Sequence, residues 1–272
     1  MMDKSSKQLD QKPAAPNACV YRWDARQGAT AINWQSDIAL GDLLYLDKQA
    51  EQLITNTRQF IHGYPANNVL LWGARGTGKS SLLQAVFSKY LGDELSIIEL
   101  CRNEFQDWPN MIAWLKEQPP GKFIIFCDDI SFSKDDADYA SVKAALEGSL
   151  TSLPCNALLY ATSNRRHLLP EKLADNQFTQ HIEGELHHNE AVEEAISLSD
   201  RFGLWLSFHP LTQDEYLGIV THWLNKFGFK EKENEFSEQA LRWALQRGSR
   251  SGRIANQFAR DYAGRKMLAT NH

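Results

Sequence analysis

The sequence predicts an α/β fold, in which helices cover both faces of a parallel β-sheet, followed by a small lobe made only of helices. Two observations carry this prediction. Five continuous apolar runs have the length and composition of buried strands, and helix-length amphipathic segments separate the first four of them. Beyond Pro210 the apolar residues recur only at helical spacing. We therefore expect an α/β lobe that ends near residue 210 and a helical lobe after it.

The elements of the α/β lobe follow from these patterns in chain order. The five predicted strands are residues 68–73, 95–100, 122–129, 156–164 and 204–210. Strands that are apolar along their whole length are buried on both faces, which is typical of parallel sheets. Apolar residues three and four positions apart predict connecting helices at residues 80–92, 108–118 and 141–150.

The helical lobe begins with a helix whose apolar residues share one face. These residues are Tyr216, Val220, Trp223, Leu224 and Phe227. We expect Thr212 to cap the amino terminus of this helix and Gly228 to end it. Trp223 is expected in the core of the lobe and not on a platform for stacking bases. Two further helices are predicted at about residues 236–247 and 251–264.

Composition favours a soluble protein of the cell interior. The chain has 272 residues and a net charge of −5, and no apolar run reaches the roughly 18 residues of a membrane span. Residues 1–35 are polar and lack the apolar centre of a secretion signal, so we expect a disordered or extended lead-in and a cytoplasmic location. The four cysteines form no C-x-x-C pair, which argues against a structural zinc site or a disulfide framework. The expected division is residues 1–35, an α/β core of residues 36–210, and a helical lobe of residues 211–272.

A glycine-rich loop directly follows the first predicted strand. Residues Gly73, Ala74, Arg75, Gly76, Thr77, Gly78, Lys79 and Ser80 match the pattern G-x-x-x-x-G-K-[ST], and Ser81 follows them. Glycines tolerate positive φ, so successive backbone N–H groups can surround an anion at the amino terminus of the next helix. Lys79 would then reach the β and γ phosphates of a nucleotide, and the Ser80 hydroxyl would bind Mg²⁺. The preceding strand and the following helix favour this interpretation over an ordinary glycine turn.

Two carboxylates end the third predicted strand. Asp128 and Asp129 follow the apolar run "FIIFC", and a carboxylate there is costly unless a cation or hydrogen-bond donors meet it. Asp128 is therefore predicted to hold Mg²⁺, and Asp129 to orient or deprotonate the attacking water. The alternative is a pair of solvated carboxylates at a strand exit, which the neighbouring phosphate loop disfavours.

With these motifs in place, the chain resembles the AAA+ ATPases. Within them it closely resembles an uncharacterised bacterial family of predicted ATPases with a domain of unknown function. The resemblance rests on ordered segments between about residues 38 and 264, among them "GDLLYLDKQ", "PANNVLLWGARGTGKSSL", "FIIFCDDISF", "YATSNRRHL", "SLSDRFGLWLSF" and "RGSRSGRIANQF". It implies a five-stranded parallel sheet of order 5-1-4-3-2, a helical lid, and the use of ATP or ADP with Mg²⁺.

The resemblance also implies roles for two polar residues near the strand ends. Asn164 matches the first sensor, a polar side chain that helps to position the attacking water; otherwise it would be an ordinary turn residue. Arg201 matches the arginine finger, which reaches from one subunit toward the γ phosphate bound by its neighbour. The alternative for Arg201 is a salt bridge within its own chain.

Further matches lie in the lid and before the first helix. Arg250 matches the second sensor, a lid arginine that contacts phosphate in its own subunit, and Arg253 is the alternative for this role. The segment with Leu44 and Leu46 matches the part of the family that covers the adenine ring.

Two departures from the family pattern affect the predicted function. Most AAA+ enzymes carry Asp-Glu where this chain has Asp128-Asp129, so the base is one methylene shorter and we expect slow hydrolysis. The region after the second strand, "CRNEFQDWPN", contains no glycine, so a loop for threading polypeptides is not supported.

The sequence therefore predicts an ATPase that uses its nucleotide cycle to remodel or load an unknown protein partner. By resemblance it would form a homo-oligomeric ring or spiral, most often of six subunits, with Arg201 acting in trans. One alternative is an ATP-gated assembly module with little hydrolysis. Others are a kinase and a nucleic-acid loader similar to helicase loaders, although the negative net charge does not support a nucleic-acid partner.

Overall fold

The computed structural model describes residues 20–92, 95–131, 142–143, 146, 153–166, 168, 200–230 and 232–270. Within these residues seven strands form one mixed sheet. The strands are β1 (Val20–Asp24), β2 (Gly28–Ala31), β3 (Val69–Gly73), β4 (Leu95–Glu99), β5 (Lys122–Cys127), β6 (Ala157–Ser163) and β7 (Leu204–Phe208). Their order across the sheet is β2-β1-β4-β5-β6-β3-β7, and only the β1-β2 pair is antiparallel.

The predicted count of five strands is wrong, because a hairpin adds β1 and β2 to the sheet. Val20 pairs with Ile97 in parallel register, so β1 covers the edge of β4. Tyr21 and Trp23 are buried, and both rings contact Trp114. The charged residues that alternate with these side chains hide the strand from a search for continuous apolar runs. Part of the predicted lead-in is therefore folded, while residues 1–19 lie outside the described residues.

The helices of the α/β lobe are α1 (Asp47–Ile61), α2 (Lys79–Tyr90) and α3 (Trp108–Glu117). They pack on the two faces of the sheet, and successive residues of one strand enter different cores. Leu70 of β3 joins the core that contains α3, whereas Val69 and Leu71 join the core that contains α1 and α2. This double burial explains why the strand is apolar throughout. Most of the helix predicted at residues 141–150 lies outside the described residues.

The helical lobe consists of α4 (Gln213–Lys226), α5 (Glu233–Gln246) and α6 (Gly252–Thr270) around its own apolar core. The predicted ends of α4 are confirmed. The Thr212 side chain accepts a hydrogen bond from the Glu215 N–H at 3.2 Å, and Gly228 follows the helix with φ of 89°. Trp223 packs partly on this core, as predicted. Among the described helices, none is long and apolar enough to cross a membrane.

Candidate functional site

A cleft of about 1180 Å³ lies between the carboxyl edge of the sheet and the helical lobe. Parallel strands bring their carboxyl ends to one edge, so residues far apart in the sequence meet there. The sequence-predicted site residues that line the cleft are Leu44, Leu46, Arg75, Gly76, Thr77, Gly78, Lys79, Ser80, Ser81, Asp128, Asp129, Asn164 and Arg253. Those absent from its lining are Gly73, Ala74, Arg201 and Arg250.

The glycines of the loop are required by packing as well as by backbone conformation. Gly73 has φ of 139°, and an added Cβ would lie 2.0 Å from the carbonyl oxygen of Phe208 in β7. Gly76 has φ of 77°, and an added Cβ would lie 2.7 Å from the hydroxyl oxygen of Ser251 in the helical lobe. The loop thus packs between the sheet and the lobe. At these two positions a residue with a Cβ would be disfavoured both by its backbone conformation and by the atoms beside it.

The loop leads into the amino terminus of α2. Gly78 is the residue before the helix and has φ of 102°, and no side chain caps the first turn there. The N–H groups of that turn and the positive end of the helix dipole therefore point toward the cleft side of the loop. An anion, above all a phosphate, is the ligand that such an arrangement favours.

Lys79 is the most deeply buried charged group of the site, with 6% of the residue exposed. Its ammonium donates to the carbonyl oxygens of Gly73 at 2.7 Å and Ala74 at 2.8 Å, and to Oδ1 of Asn164 at 3.0 Å. Burial lowers the pKa of Lys79 to about 8, although the charges of Asp129 and Asp128 oppose the shift. The cost of burying this ammonium thus outweighs its attraction to the two carboxylates. A negatively charged ligand in the cleft would stabilise the charged form of Lys79.

This lowered pKa predicts that nucleotide binding weakens in alkaline solution. Because the pKa of Lys79 is about 8, this side chain is mostly neutral in the free protein above that pH. Lys79 must then take up a proton before its charged form can bind a phosphate. Affinity for ATP should be flat below about pH 7 and should fall by up to roughly tenfold per pH unit above about 8. Calorimetric titrations in two buffers of different ionisation enthalpy would measure the proton uptake.

Arginine does not deprotonate in this range, so Lys79→Arg provides the control. If this variant binds ATP at all, its affinity should not change between pH 7 and pH 9. Equal slopes for the variant and the natural protein would contradict the assignment of the proton to Lys79.

Asp128 joins the phosphate loop to the end of β5. Its Oδ1 accepts a hydrogen bond from the Ser80 hydroxyl at 2.6 Å and another from the Thr162 hydroxyl at 2.6 Å. A hydroxyl and a carboxylate in contact at the edge of a phosphate loop are suited to a hard divalent cation. Thr162 was not predicted; it lies in β6, two residues before Asn164, which follows the strand.

The Asp129 carboxylate contacts one amide group and one cationic group. Nδ2 of Asn164 donates to its Oδ1, and the Arg75 guanidinium lies 3.7 Å from its Oδ2. Its backbone has φ of 51°, a left-handed conformation that aspartate adopts more readily than glutamate. The turn after β5 thus gives a physical reason for aspartate at this position.

The helical lobe reaches the loop through the start of α6. The Arg253 N–H faces the carbonyl oxygen of Gly76 at 3.5 Å, and the charge of Arg253 contributes to lowering the pKa of Lys79. The structure thus places the alternative residue Arg253 on the cleft wall, while Arg250 is exposed and absent from that wall. Arg260, seven residues after Arg253 in α6, also lines the cleft and was not predicted.

The opposite wall is tied to the lobe by a buried carboxylate that was not predicted either. Asp42 accepts from Lys226 of α4 at 2.6 Å, from His222 at 3.1 Å and from the Ala39 N–H at 3.1 Å. Burial disfavours ionisation of Asp42, but these hydrogen bonds outweigh it, so the pKa of Asp42 lies below its usual value. Leu44, two residues later, packs on the core of the lobe.

Arg201 lies at the surface just before β7, outside the cleft of its own chain. The action of Arg201 on a neighbouring subunit stays a prediction.

The donor set of the cleft fits Mg²⁺ with a bound phosphate better than Mg²⁺ alone. In the described part of the chain, no three His, Cys, Asp or Glu side chains are grouped to hold a metal ion. Ser80 and Asp128 would supply two positions, and Mg²⁺ commonly completes its shell with phosphate oxygens and water. The residues present therefore fit the ion together with a nucleotide.

The chain matches one protein family along nearly its whole length. Residues 16–266 match the family described as "Protein of unknown function (DUF815)". No curated protein matches the chain significantly.

Solved structures share its fold. The Holliday junction branch migration motor RuvB of Thermotoga maritima matches with a TM-score of 0.55 and 17% identity, over 85% of this chain and 65% of that chain. Two mutant forms of that protein match with TM-scores of 0.58 and 0.56, at 16% and 17% identity, over 86% and 87% of this chain and 67% and 68% of theirs.

Identities this low establish the fold and nothing finer. They confirm the predicted α/β fold of the phosphate-loop type, and the family match confirms the predicted resemblance to a family of unknown function. The chain spans 65% of the length of the first of these structures.

Proposed function

The chain belongs to the DUF815 family of proteins of unknown function, and we propose that it is an AAA+ ATPase that binds Mg-ATP in this cleft and hydrolyses it. The observation that carries the proposal is the meeting of Lys79, Ser80 and Asp128 at one sheet edge, with a 2.6 Å hydrogen bond between the last two. Residues 36–210 would form the ATPase core and residues 211–272 the lid. The position of β7 and β3 beside β6, β5 and β4 supports the family order 5-1-4-3-2.

Binding would use groups that already point into the cleft. The N–H groups of the loop and the first turn of α2 would hold the phosphates, and Lys79 would exchange its bonds to loop carbonyls for bonds to phosphate oxygens. Ser80 and Asp128 would hold Mg²⁺, which neutralises charge on the phosphates when it is bound. Leu44 and Leu46 would cover the base.

Hydrolysis would depend on Asp129 and Asn164, which already touch each other. Asp129 would accept a proton from the attacking water, and Asn164 would orient that water. Arg253 would contact phosphate from the lid, so the angle of the lid would follow the state of the nucleotide. We assign this role to Arg253 in place of Arg250, because Arg253 lines the cleft and Arg250 does not.

The catalytic site would be completed between subunits. Arg201 of one subunit would reach the γ phosphate held by the next, in a ring or spiral that is most often hexameric in the family. Arginine fingers in other nucleotidases contribute about 10³ to 10⁵ in rate. The energy released would serve to remodel or load a macromolecular partner, which we take to be a protein.

One observation favours a second candidate, an ATP-gated assembly module with little hydrolysis. Asp129 is engaged by both Arg75 and Asn164, and these contacts compete with a water molecule for its two oxygens. A basal turnover near zero with tight Mg-ATP binding would favour this candidate.

The proposal is tested first by binding and turnover. Calorimetry with Mg-ATP and Mg-ADP should detect binding to the purified protein, and phosphate release should detect hydrolysis. No heat at millimolar nucleotide would contradict the proposed function.

The shared site is tested by mixing two inactive variants. Arg201→Ala lacks the finger and Asp129→Asn lacks the base, so each alone should lose turnover. In mixed oligomers, a phosphate loop from the first variant meets an intact Arg201 from the second, and turnover should return. Mass measurement in solution should show nucleotide-dependent assembly in both.

The matched control for the mixing experiment is Arg242→Ala. Arg242 pairs with Glu238 on the exposed face of α5, with 74% of its side chain exposed. This variant should retain turnover alone. A mixture that stays inactive although both variants assemble would contradict the role of Arg201 in trans.

A further inference from the structure

Thr162 lies between the two carboxylates that the proposed function assigns to metal binding and to catalysis. It belongs to β6, only 1% of it is exposed, and it lines the floor of the cleft. Its hydroxyl is 2.6 Å from Oδ1 of Asp128 and 2.8 Å from the backbone nitrogen of Asp129.

The chemistry of these partners determines the direction of both bonds. An ionised carboxylate only accepts and a backbone N–H only donates. The Thr162 hydroxyl must therefore donate its single proton to Asp128 and accept from Asp129. A serine could form the same pair of bonds, whereas an apolar side chain of equal shape could form neither.

The bond to Asp129 supports a backbone conformation that is unfavourable by itself. Asp129 has φ of 51°, where non-glycine residues are uncommon. The N–H of this residue bonds the Thr162 hydroxyl, and the N–H of Ile130 bonds the Thr162 carbonyl at 2.8 Å. One residue of β6 thus holds the turn that directs the Asp129 side chain into the cleft.

The bond to Asp128 acts on the metal side of the site. Oδ1 of Asp128 accepts from Thr162 and also from Ser80, each at 2.6 Å. Two donors on one oxygen define the rotation of the carboxylate. If Ser80 turned toward a bound ion, Thr162 would still hold Asp128 in place.

We propose that Thr162 is a positioning residue that sets the metal-binding carboxylate and the catalytic carboxylate together through one hydroxyl group. This inference rests on the proposed function. It predicts that the hydroxyl matters for Mg²⁺ and for turnover, but not for the contacts that the loop makes with nucleotide alone.

The test compares Thr162→Val, which keeps the branched shape, with Thr162→Ser, which keeps the hydroxyl. In Thr162→Val, kcat should fall about 100-fold, since misplacement by about an ångström has that effect. Its affinity for Mn²⁺ in the presence of ADP, measured by electron paramagnetic resonance, should fall about tenfold, in line with the loss of an outer-shell partner. ATP affinity in EDTA should change less than about twofold, because the loop amides and Lys79 stay in place.

Thr162→Ser should restore kcat and Mn²⁺ affinity to within about threefold of the natural protein, because serine offers the same donor and acceptor. Thr221→Val is the matched control. The Thr221 hydroxyl bonds the Leu217 carbonyl within α4, and Thr221 is absent from the cleft lining. This variant should match the natural protein in both measurements.

Each contrary outcome has its own meaning. Normal Mn²⁺ affinity and kcat in Thr162→Val would overturn the inference, as would equal losses in the valine and serine variants. A matching loss of ATP affinity in EDTA would also overturn it, because that pattern indicates general damage to the site. If the valine variant does not fold, Thr162→Ala against Thr162→Ser gives the same comparison. Failure of the natural protein to bind Mg-ATP would instead overturn the proposed function.

Discussion

Replacing Lys79 with methionine should weaken ATP binding by about 10- to 100-fold and leave the protein as stable as before. Charge-assisted hydrogen bonds contribute about 1.5–3 kcal/mol each, and Lys79 is the loop side chain that the proposal assigns to the β and γ phosphates. Calorimetry with Mg-ATP measures the affinity, and thermal unfolding measures the stability.

Stability should survive because the buried ammonium is itself unfavourable. Burial lowers the pKa of Lys79 to about 8 from 10.5, so at neutral pH the folded state holds a charge that the unfolded state accommodates more easily. Methionine removes that cost, which offsets the lost bonds to Gly73 and Ala74. Lys89→Met is the control, since Lys89 lies exposed near the other end of α2. Unchanged ATP affinity in Lys79→Met would contradict the phosphate-binding role.

Replacing Asp129 with asparagine should remove most of the turnover and spare binding. Asparagine keeps the size of the side chain and tolerates the left-handed backbone, but it cannot accept the proton of the attacking water. General bases contribute about 100- to 10,000-fold, so kcat should fall by that factor while the affinity for Mg-ATP changes less than about threefold. Phosphate release and calorimetry give the two values.

The variant Asp129→Glu tests whether the short side chain of Asp129 limits the rate of ATP hydrolysis. Glutamate adds the methylene found in most of the family, but it fits φ of 51° less well than aspartate. Turnover above that of the natural protein would show that reach is limiting; lower turnover would show that the turn requires aspartate. Unchanged turnover in Asp129→Asn would remove Asp129 from the catalytic role altogether.

The sequence alone was sufficient for motifs whose geometry is local. The phosphate loop is a strand, a turn and a helix within a few residues, and its spacing predicts where Lys79 and Ser80 lie. Asp128 could be placed beside them because parallel strands end at one sheet edge. The ends of α4 at Thr212 and Gly228 were also predictable, because helix capping uses hydrogen bonds and backbone conformations within a single turn.

Only the tertiary structure could show which segments that are distant in the sequence contact each other. The sequence favours Arg250 as the lid arginine and offers Arg253 as the alternative, whereas the contact between the start of α6 and Gly76 places Arg253 on the cleft. The tie between Asp42 and Lys226 joins residues 184 positions apart. The pairing of β1 with β4 is equally remote and turned a predicted lead-in into part of the sheet.

Thr162 shows the difference most clearly. In the sequence it is an ordinary residue of an apolar strand, and nothing in its spacing distinguishes it from its neighbours. Its meaning comes from the pairing of β6 with β5, which brings one hydroxyl between two carboxylates. Periodicity in a sequence reports which side of an element is buried, whereas the partner across the interface depends on packing between distant segments, which no local pattern records.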